Sequence, residues 1–414
     1  MSDAQKAVIA CGEAAQSAAA SLAQAPGEVI NQALRAMAGR LSSCLPELLR
    51  ANAADMAEGE AAGLGRGLLD RLRLDEARIQ DMAKQIGLLA DAPFPAELTP
   101  VRELPGGPSG VLRLAERRVP VGVIGANFEA RPNVTVDIAS QLLKSRNAGV
   151  LRTGGAALRS AAALADQVIV PAVEQAGLDP GAVQLVRSAD RAAAVELVRQ
   201  PGLIPLVILR GSGDTTRQLA AEAASCGVRT LAHADGGGVL YLDRAADPAL
   251  AAELITASLD RLGVCNRLNL LLISTQAWPQ LLGPALEAIR ARGVTPLLPP
   301  HQHPLGHEWA LDTGHEATVT VAPADSPAAA AGLANSVTSG LAASVVTADP
   351  AAAQEFLGAY HGTGAFWNAS TRLLDGFRLR GVPETGINVD HVPGPRGPVT
   401  FHDLCLRQYV VTPG

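Results

Sequence analysis

Cys265 lies in the stretch DRLGVCNRLNLLLIS, between residues 251–262, whose apolar positions recur at helical spacing, and the apolar run 268–273, which reads as a strand. Junctions of this kind hold a backbone still while leaving a side chain free to face a cleft. A thiolate there attacks an acyl carbon, and Asn266 or neighbouring backbone N–H groups stabilise the resulting oxyanion. Taken alone, the same cysteine also reads as inert packing, the commoner fate of a buried thiol.

Three further stretches carry chemistry. In VPVGVIGANFEARPNVTVD, Gly122 and Gly125 do not complete the G-x-G-x-x-G dinucleotide fingerprint. Arg131, Pro132 and Asn133 follow a buried strand and precede a helix, at the carboxyl end of the strand, where open α/β sheets bind ligands. Arg131 suits a carboxylate or phosphate. Asn133 equally suits a plain helix N-cap. The turns LRTGGAALRS and LRGSGDTTRQL also leave strands and open helices, whose N-termini attract phosphate. Arg152 suits a ribose 2′-phosphate, and Gly211 and Ser212 suit close approach to a pyrophosphate, although ordinary αβ turns use glycine in the same way. Four of the eight histidines, His301, His303, His307 and His315, fall in HQHPLGHEWALDTGHE. The spacing of His303 and His307 suggests a metal, but Pro304 and Gly306 keep the two off one helical face. The simpler reading is a loop, and no metal is expected.

The elements that must position these groups are legible from pattern. The chain has 414 residues, too many for one compact domain. Hydrophobic residues make up 48% but aromatics only 3%, so Leu, Val, Ile and Ala must fill the core. A formal charge of −6 without blocks of one sign excludes nucleic acid or an anionic membrane as the expected partner. Five widely spaced cysteines without a C-x-x-C suggest a reduced, cytoplasmic protein. The first 25 residues resemble an amphipathic helix more than a signal peptide, and no apolar run is expected to span a bilayer. Residues 1–90 read as helices, with Pro46 a break point. Residues 92–112 enter a hairpin with GGPSG near its turn. From Val119, starting with VPVGVIGA, short apolar strands alternate with amphipathic helices, the pattern of βαβ units and parallel sheets. The tail ends in a strand whose free edge favours pairing with a second copy.

The stretches VPVGVIGANFEARPNVTVDIASQLLKSRNAGVLRTGGAA, HADGGGVLYLDRAAD, GVCN, NASTRLLDGF and PETGINVDHVPGPRGPV, with the terminal YVV, resemble the gamma-glutamyl phosphate reductase family of the aldehyde dehydrogenase superfamily, in order and nearly end to end. The N-terminal ANAADMAEGEAAGL, LLDRLRL and RIQDMA fit as well. The resemblance implies an α/β, aldehyde dehydrogenase-like fold with two parallel-sheet αβα domains and a small oligomerisation flap. The cofactor domain would comprise 1–99 and 119–234 with a return segment at about 350–375. The catalytic domain would span 235–349, and the flap 100–118 and 376–414. Cys265 falls on the family nucleophile. Arg152, Gly154 and Gly155 fall near the adenosine side of NADP (NADPH, or NAD), and Gly211 and Ser212 near its pyrophosphate. Arg131, Asn133, Asn368, Ser370, Thr371 and Arg372 fall in segments expected near substrate.

The implied reaction is reduction of an acyl phosphate, gamma-glutamyl phosphate in the family, through a Cys265 thioester. A thioester that is reduced rather than hydrolysed needs no glutamate to activate water, and LAHADGGG offers His233 and Asp235 but no Glu. The resemblance further implies a homo-oligomer and a kinase partner of the glutamate 5-kinase type. The chain departs from the family pattern at SVTSGLAAS, at Arg267-Leu268-Asn269 after GVCN, at Asp214 and at Arg146. Two alternatives follow from those departures: a reductase of another acyl phosphate or activated acid, and a catalytically weak scaffold for a kinase.

Overall fold

The computed structural model describes residues 1–108, 110–233, 235–309, 312, 314–389 and 396–414, with the backbone alone at His233. Ala234 of HADGGG, Ala310, Leu311 and Thr313 of the histidine loop, and 390–395 of the last family segment lie outside the described residues.

Five helices open the chain: α1 (Asp3–Gln24), α2 (Gly27–Ser43), α3 (Leu45–Ala61), α4 (Arg66–Leu72) and α5 (Glu76–Asp91). Ser2 caps α1 by accepting the Gln5 N–H. Pro46 sits in the first turn of α3, where a missing N–H costs nothing, so the break falls at Cys44. The apolar faces of α1 and α2 (Val8, Leu22, Ile30, Leu34, Met37) close over the first sheet. The hairpin follows as β1 (Leu98–Pro105) and β2 (Val111–Pro120).

The first sheet is built from β3 (Val123–Phe128), α6 (Asn133–Lys144), β4 (Ala148–Thr153), α7 (Leu158–Leu164), α8 (Val170–Gln175), β5 (Val183–Leu185), α9 (Ala192–Leu197), β6 (Leu206–Arg210), α10 (Gly213–Ser225) and β7 (Arg229–His233). All its strands are parallel, in the order β5-β4-β3-β6-β7. The order reverses between β3 and β6, so the loops after these strands open a crevice at their carboxyl ends. VPVGVIGA is therefore not one strand. Val119 and Pro120 end β2, Gly122 turns the chain at φ +116°, and β3 starts at Val123. Asn133 is not an N-cap either: Pro132 holds that position, and the Asn133 amide turns to Asp137 one helical turn on. A π-helical turn joins α7 and α8 into one helix, Gly155–Gln175, long and apolar enough by composition to cross a membrane. This corrects the expectation that no run reaches that length. Its Leu164, Val168, Ile169 and Val173 are buried in the core, as in a central helix of a folded domain.

The second sheet comprises β8 (Gly238–Leu242), α11 (Pro248–Ser258), β9 (Leu268–Ser274), α12 (Trp278–Ala291), β10 (Thr295–Leu297), β11 (Thr318–Ala324), α13 (Pro327–Val337), β12 (Ala342–Val346), α14 (Pro350–Ala359) and β13 (Gly364–Trp367). Its parallel order is β10-β11-β9-β8-β12-β13, with separate apolar clusters on its two faces. Residues 350–375, expected to return to the first sheet, instead finish the second, because β13 pairs with β12. The segment that does return comes later. After α15 (Gly376–Arg380), β14 (Gly386–Asn388) pairs with β15 (Gly397–Val399), and Val382, Val399, Phe401 and Leu404 enter the first core. Finally β16 (Cys405–Pro413) pairs antiparallel with β2, giving a three-stranded sheet of order β1-β2-β16 with both edges open.

Candidate active site

The nucleophile segment is held from behind. The Gly237 N–H donates to the Cys265 carbonyl and the Gly238 N–H to the Arg267 carbonyl, each at 2.6 Å. The glycine run permits this approach: a Cβ on Gly236 would lie 2.7 Å from Cys265 Cα, and one on Gly238 2.6 Å from the Arg267 carbonyl oxygen. On the other side Arg71 donates from Nε to the Gly263 carbonyl at 2.6 Å. Asn266 is buried. Its Nδ2 donates to the Leu374 carbonyl at 2.8 Å, its Oδ1 accepts from the Arg372 guanidinium, and its own carbonyl accepts from the Thr371 hydroxyl at 2.7 Å. One amide N–H of Asn266 is thus left for a ligand.

Cys265 opens into a cleft of about 250 Å³ lined by five arginines: Arg71, Arg131, Arg210, Arg261 and Arg372. Arg372 is paired with Asp260 and Arg261 with Asp70. The guanidiniums of Arg131 and Arg210 have no hydrogen-bond or ion-pair partner among the described residues, although Arg210 is buried. Burial, helped by Arg71 and Arg210, draws Arg131 down to about 9, against the opposing fields of Cys265 and Glu308. Unpaired guanidiniums in such surroundings are an anion site. Two carboxyls in the cleft are held toward their neutral forms. Burial pushes Asp137 up to about 7, opposed by Arg210 and by the Asn133 amide. Burial, Asp375 and Cys265 push Glu384 up to about 8, opposed by Arg210 and the Gly376 N–H.

A second cleft of about 580 Å³ lies on the other side of Gly236, between the N-terminus of α10 and the segment 336–339. Here the Ser212 N–H donates to Glu129 at 3.2 Å, and the Asp235 carboxylate lies against Gly213, held by Arg217 at 2.5 Å. The Glu129 carboxylate on the Ser212 N–H is an internal anion at this helix terminus. Gly211 and Ser212 lie at the crevice between β3 and β6. Arg152, at the end of β4, donates to Asn127 Oδ1 and the Asp190 carbonyl, and its buried Nε has no protein partner among the described residues. Gly154 and Gly155 form the turn after it, open enough that a Cβ on Gly154 would meet nothing within 4 Å.

The structure therefore gathers Cys265, Asn266, Arg131, Asn133 and Arg372 in one cleft. Asn368, Ser370 and Thr371 do not line it. Asn368 bonds Thr347, Ser370 meets Ser258, and Thr371 holds the Asn266 backbone. Arg71, Asp137, Arg210 and Glu384 were missed. Asp137 stands one turn beyond Asn133 and Arg210 directly before Gly211, so each had a neighbour already singled out. Arg71 and Glu384 come from distant segments that no spacing connects to Cys265. Nor does the missing glutamate in 233–238 leave the nucleophile without carboxylates. Glu308 reaches the same backbone, 1.9 Å from where a Gly236 Cβ would stand, and Glu384 lines the cleft.

The departures also sort by place. Arg267 is wholly buried, donating to Asn269 Oδ1 and to the carbonyls of Glu316 and Thr318, and so ties the nucleophile segment to β11. Arg146, at φ +58° where glycine is favoured, donates to the Ala25 carbonyl at 3.0 Å and lies over the Phe94 ring. Neither lines either cleft. Asp214, Ser336, Thr338 and Ser339 all line the second. His303, His307 and His315 pack around the buried Trp309, His301 meets His303, and His307 pairs with Asp312 at 2.8 Å.

The aldehyde dehydrogenase family model matches residues 2–296. The gamma-glutamyl phosphate reductase of Clavibacter michiganensis subsp. michiganensis is 37% identical over 411 residues, covering 96% of this chain and 92% of that protein. The crystal structure of gamma-glutamyl phosphate reductase from Thermotoga maritima superposes with a TM-score of 0.84 at 26% identity, covering 98% of each chain. A propionaldehyde dehydrogenase from Clostridium phytofermentans shares the fold, with a TM-score of 0.74 at 16% identity over 100% of this chain and 98% of that one. A cysteine-bearing cleft beside a crevice at the switch point of a parallel sheet thus comes with end-to-end similarity: the chain is an oxidoreductase of the aldehyde dehydrogenase family and belongs, within it, with the gamma-glutamyl phosphate reductases.

Proposed function

We propose that this protein reduces L-glutamate 5-phosphate to glutamate 5-semialdehyde and inorganic phosphate with NADPH, a step toward proline. The observation that carries the reading is the pair of guanidiniums, Arg131 and Arg210, without a partner among the described residues, in the cleft that contains Cys265. An acyl phosphate with a distal carboxylate presents two anions to such a cleft. Of the departures from the family pattern, Asp214, Ser336, Thr338 and Ser339 line the second cleft, Arg146 and Arg267 line neither, and Leu341 and Ala342 pack against Cys265 as plain aliphatic side chains.

In this reading the Cys265 thiolate attacks the acyl carbon, and the free Asn266 N–H stabilises the oxyanion. Arg131 takes the phosphate as the C–O bond breaks and phosphate leaves, giving a thioester. NADPH, which Gly211, Ser212 and Arg152 would hold, would supply the hydride that reduces this thioester. Protonation and collapse of the Cys265 thiohemiacetal release the aldehyde and restore the thiol. Arg152 is proposed to favour the 2′-phosphate of NADP over NAD. Thr371 and Arg372 position Asn266, and Ser370 and Asn368 brace that segment.

The test runs in reverse: NADP reduction by purified protein with glutamate 5-semialdehyde and inorganic phosphate. Phosphate-dependent turnover is expected. Its absence from folded, NADP-binding protein would overturn the reading.

A pH signature belongs to the same site. Glu384, at about 8, is neutral at pH 7 and becomes an anion beside the thiolate at higher pH. Turnover should therefore fall as pH rises through about 8, by roughly 25-fold between pH 7.5 and 9.5. Glu384→Gln should remove this alkaline limb while leaving the pH 7 rate within about threefold. An unchanged limb in the variant would assign it to another group.

The five cysteines are all unpaired, which supports a reducing, cytoplasmic setting. The open edges β1 and β16 carry exposed Leu98, Val101, Leu406, Tyr409 and Val411, which suits pairing with a second copy. A kinase of the glutamate 5-kinase type is proposed as the source of the labile acyl phosphate.

A further inference from the structure

A cleft rich in arginine would be expected to neutralise its own carboxylates. Around Cys265 this happens only in part. Asp260 and Asp70 pair with Arg372 and Arg261. Asp375 caps α15 by accepting the Arg378 N–H, and Glu384 accepts the Gly376 N–H. Asp137 has no ion pair among the described residues. One of its oxygens accepts from Asn133 Nδ2 at 2.8 Å, and the other has no protein partner there. A carboxylate removed from water without a cation is costly, and a site retains one where a ligand brings the cation. The residue stands in the body of α6, not in a loop, so its place is fixed by helical backbone.

Asp137 and Cys265 reach the cleft from different elements. Asp137 stands one turn into α6, after Arg131 and Asn133, whereas Cys265 packs with Leu341, Ala342, Leu374 and Ile387. In a five-carbon amino-diacid phosphorylated on its side-chain carboxyl, the ammonium nitrogen is four bonds from the acyl carbon, and the free carboxylate is attached to the same carbon as the ammonium. A carboxylate beside a guanidinium is the complement of that pair: Arg210 for the carboxylate, Asp137 for the ammonium.

We propose that Asp137 is a specificity-determining residue, whose open carboxylate oxygen binds the α-ammonium group of the amino-acid substrate. This rests on the function proposed above. It adds that the enzyme reads the amino group directly and discriminates against acids of the same length that lack it.

The experiment compares two aldehydes, glutamate 5-semialdehyde and 5-oxopentanoate, which lacks the amino group. Each is oxidised with NADP and inorganic phosphate by the wild type, Asp137→Asn and Asp137→Glu, with melting temperatures recorded alongside. The wild type should favour the amino substrate by at least about tenfold in kcat/KM. Asp137→Asn should raise KM for that substrate about 10–100-fold with kcat within about threefold, and leave KM for 5-oxopentanoate within about twofold. Asp137→Glu, which keeps the charge, should recover part of the preference. Equal losses on both substrates would make Asp137 a packing residue and overturn the proposal. So would equal wild-type kcat/KM for the two aldehydes, a result that needs no variant to fold. Turnover of 5-oxopentanoate alone overturns it while leaving the acyl-phosphate chemistry standing. No phosphate-dependent turnover of either overturns the function and this inference together.

Discussion

Replacing Cys265 by serine should lower phosphate-dependent NADP reduction by at least about a thousandfold, with NADP affinity and melting temperature nearly unchanged. The exchange keeps the volume of a buried side chain, so the glycine and Asn266 bonds around it survive. What is lost is the nucleophile, since a serine hydroxyl is hardly ionised near neutrality and no histidine among the described residues lines the cleft to activate it. The Glu384 carboxyl does not substitute, because it is largely protonated near neutrality. Steady-state rates on glutamate 5-semialdehyde with phosphate, beside a melting curve, decide it. A serine variant within tenfold of the wild type would mean that the acyl group is carried elsewhere.

The second large effect is expected at a residue that carries no chemistry. Gly236→Ala should reduce kcat by about a hundredfold. Its Cβ would lie 1.9 Å from a Glu308 oxygen and 2.4 Å from the Cys265 carbonyl oxygen, separations that no relaxed structure tolerates. Something must move, and the backbone on that side is the Cys265 peptide itself, whose carbonyl accepts from the Gly237 N–H at 2.6 Å. A shift of about 1 Å between nucleophile and acyl carbon is enough for the loss. Gly332→Ala is the matched control, since a Cβ there meets nothing within 4 Å and the residue lies in the middle of α13. It should leave kcat alone and leave the melting temperature equal or slightly higher. Equal kcat for Gly236→Ala and the control would show that the backbone behind Cys265 is softer than its packing implies.

Both effects bear on what a sequence can disclose. The alternation of apolar strands with amphipathic helices was legible because it follows from local periodicity, and the two parallel sheets follow from it. The hairpin at β1 and β2 was legible from its glycines and prolines. The switch point between β3 and β6 was only partly so: Arg131 and Gly211 each ended a strand, but nothing local says that these strands are neighbours. Glu129 bonding the Ser212 N–H across that crevice is a product of topology. The misplaced return segment has the same origin. Residues 350–375 and 376–404 both read as short helices and strands, and only pairing partners decide which sheet each joins. Asn133 illustrates a local failure: an asparagine at a helix start favours capping, but here Pro132 takes the cap and an acid one turn later claims the amide.

That late return has a bearing on how the molecule is made. Val382, Val399, Phe401 and Leu404 belong to the same apolar core as Val8, Leu22 and Ile30, more than 350 residues earlier. The Phe401 N–H also satisfies the buried Gln141 amide oxygen at 2.6 Å, in the middle of α6. During vectorial synthesis the second sheet, whose strands run from Gly238 to Trp367, is complete in the nascent chain before the first can close. The amino-terminal half must wait, partly built, with that side of its core exposed, until almost the whole polypeptide has left the ribosome.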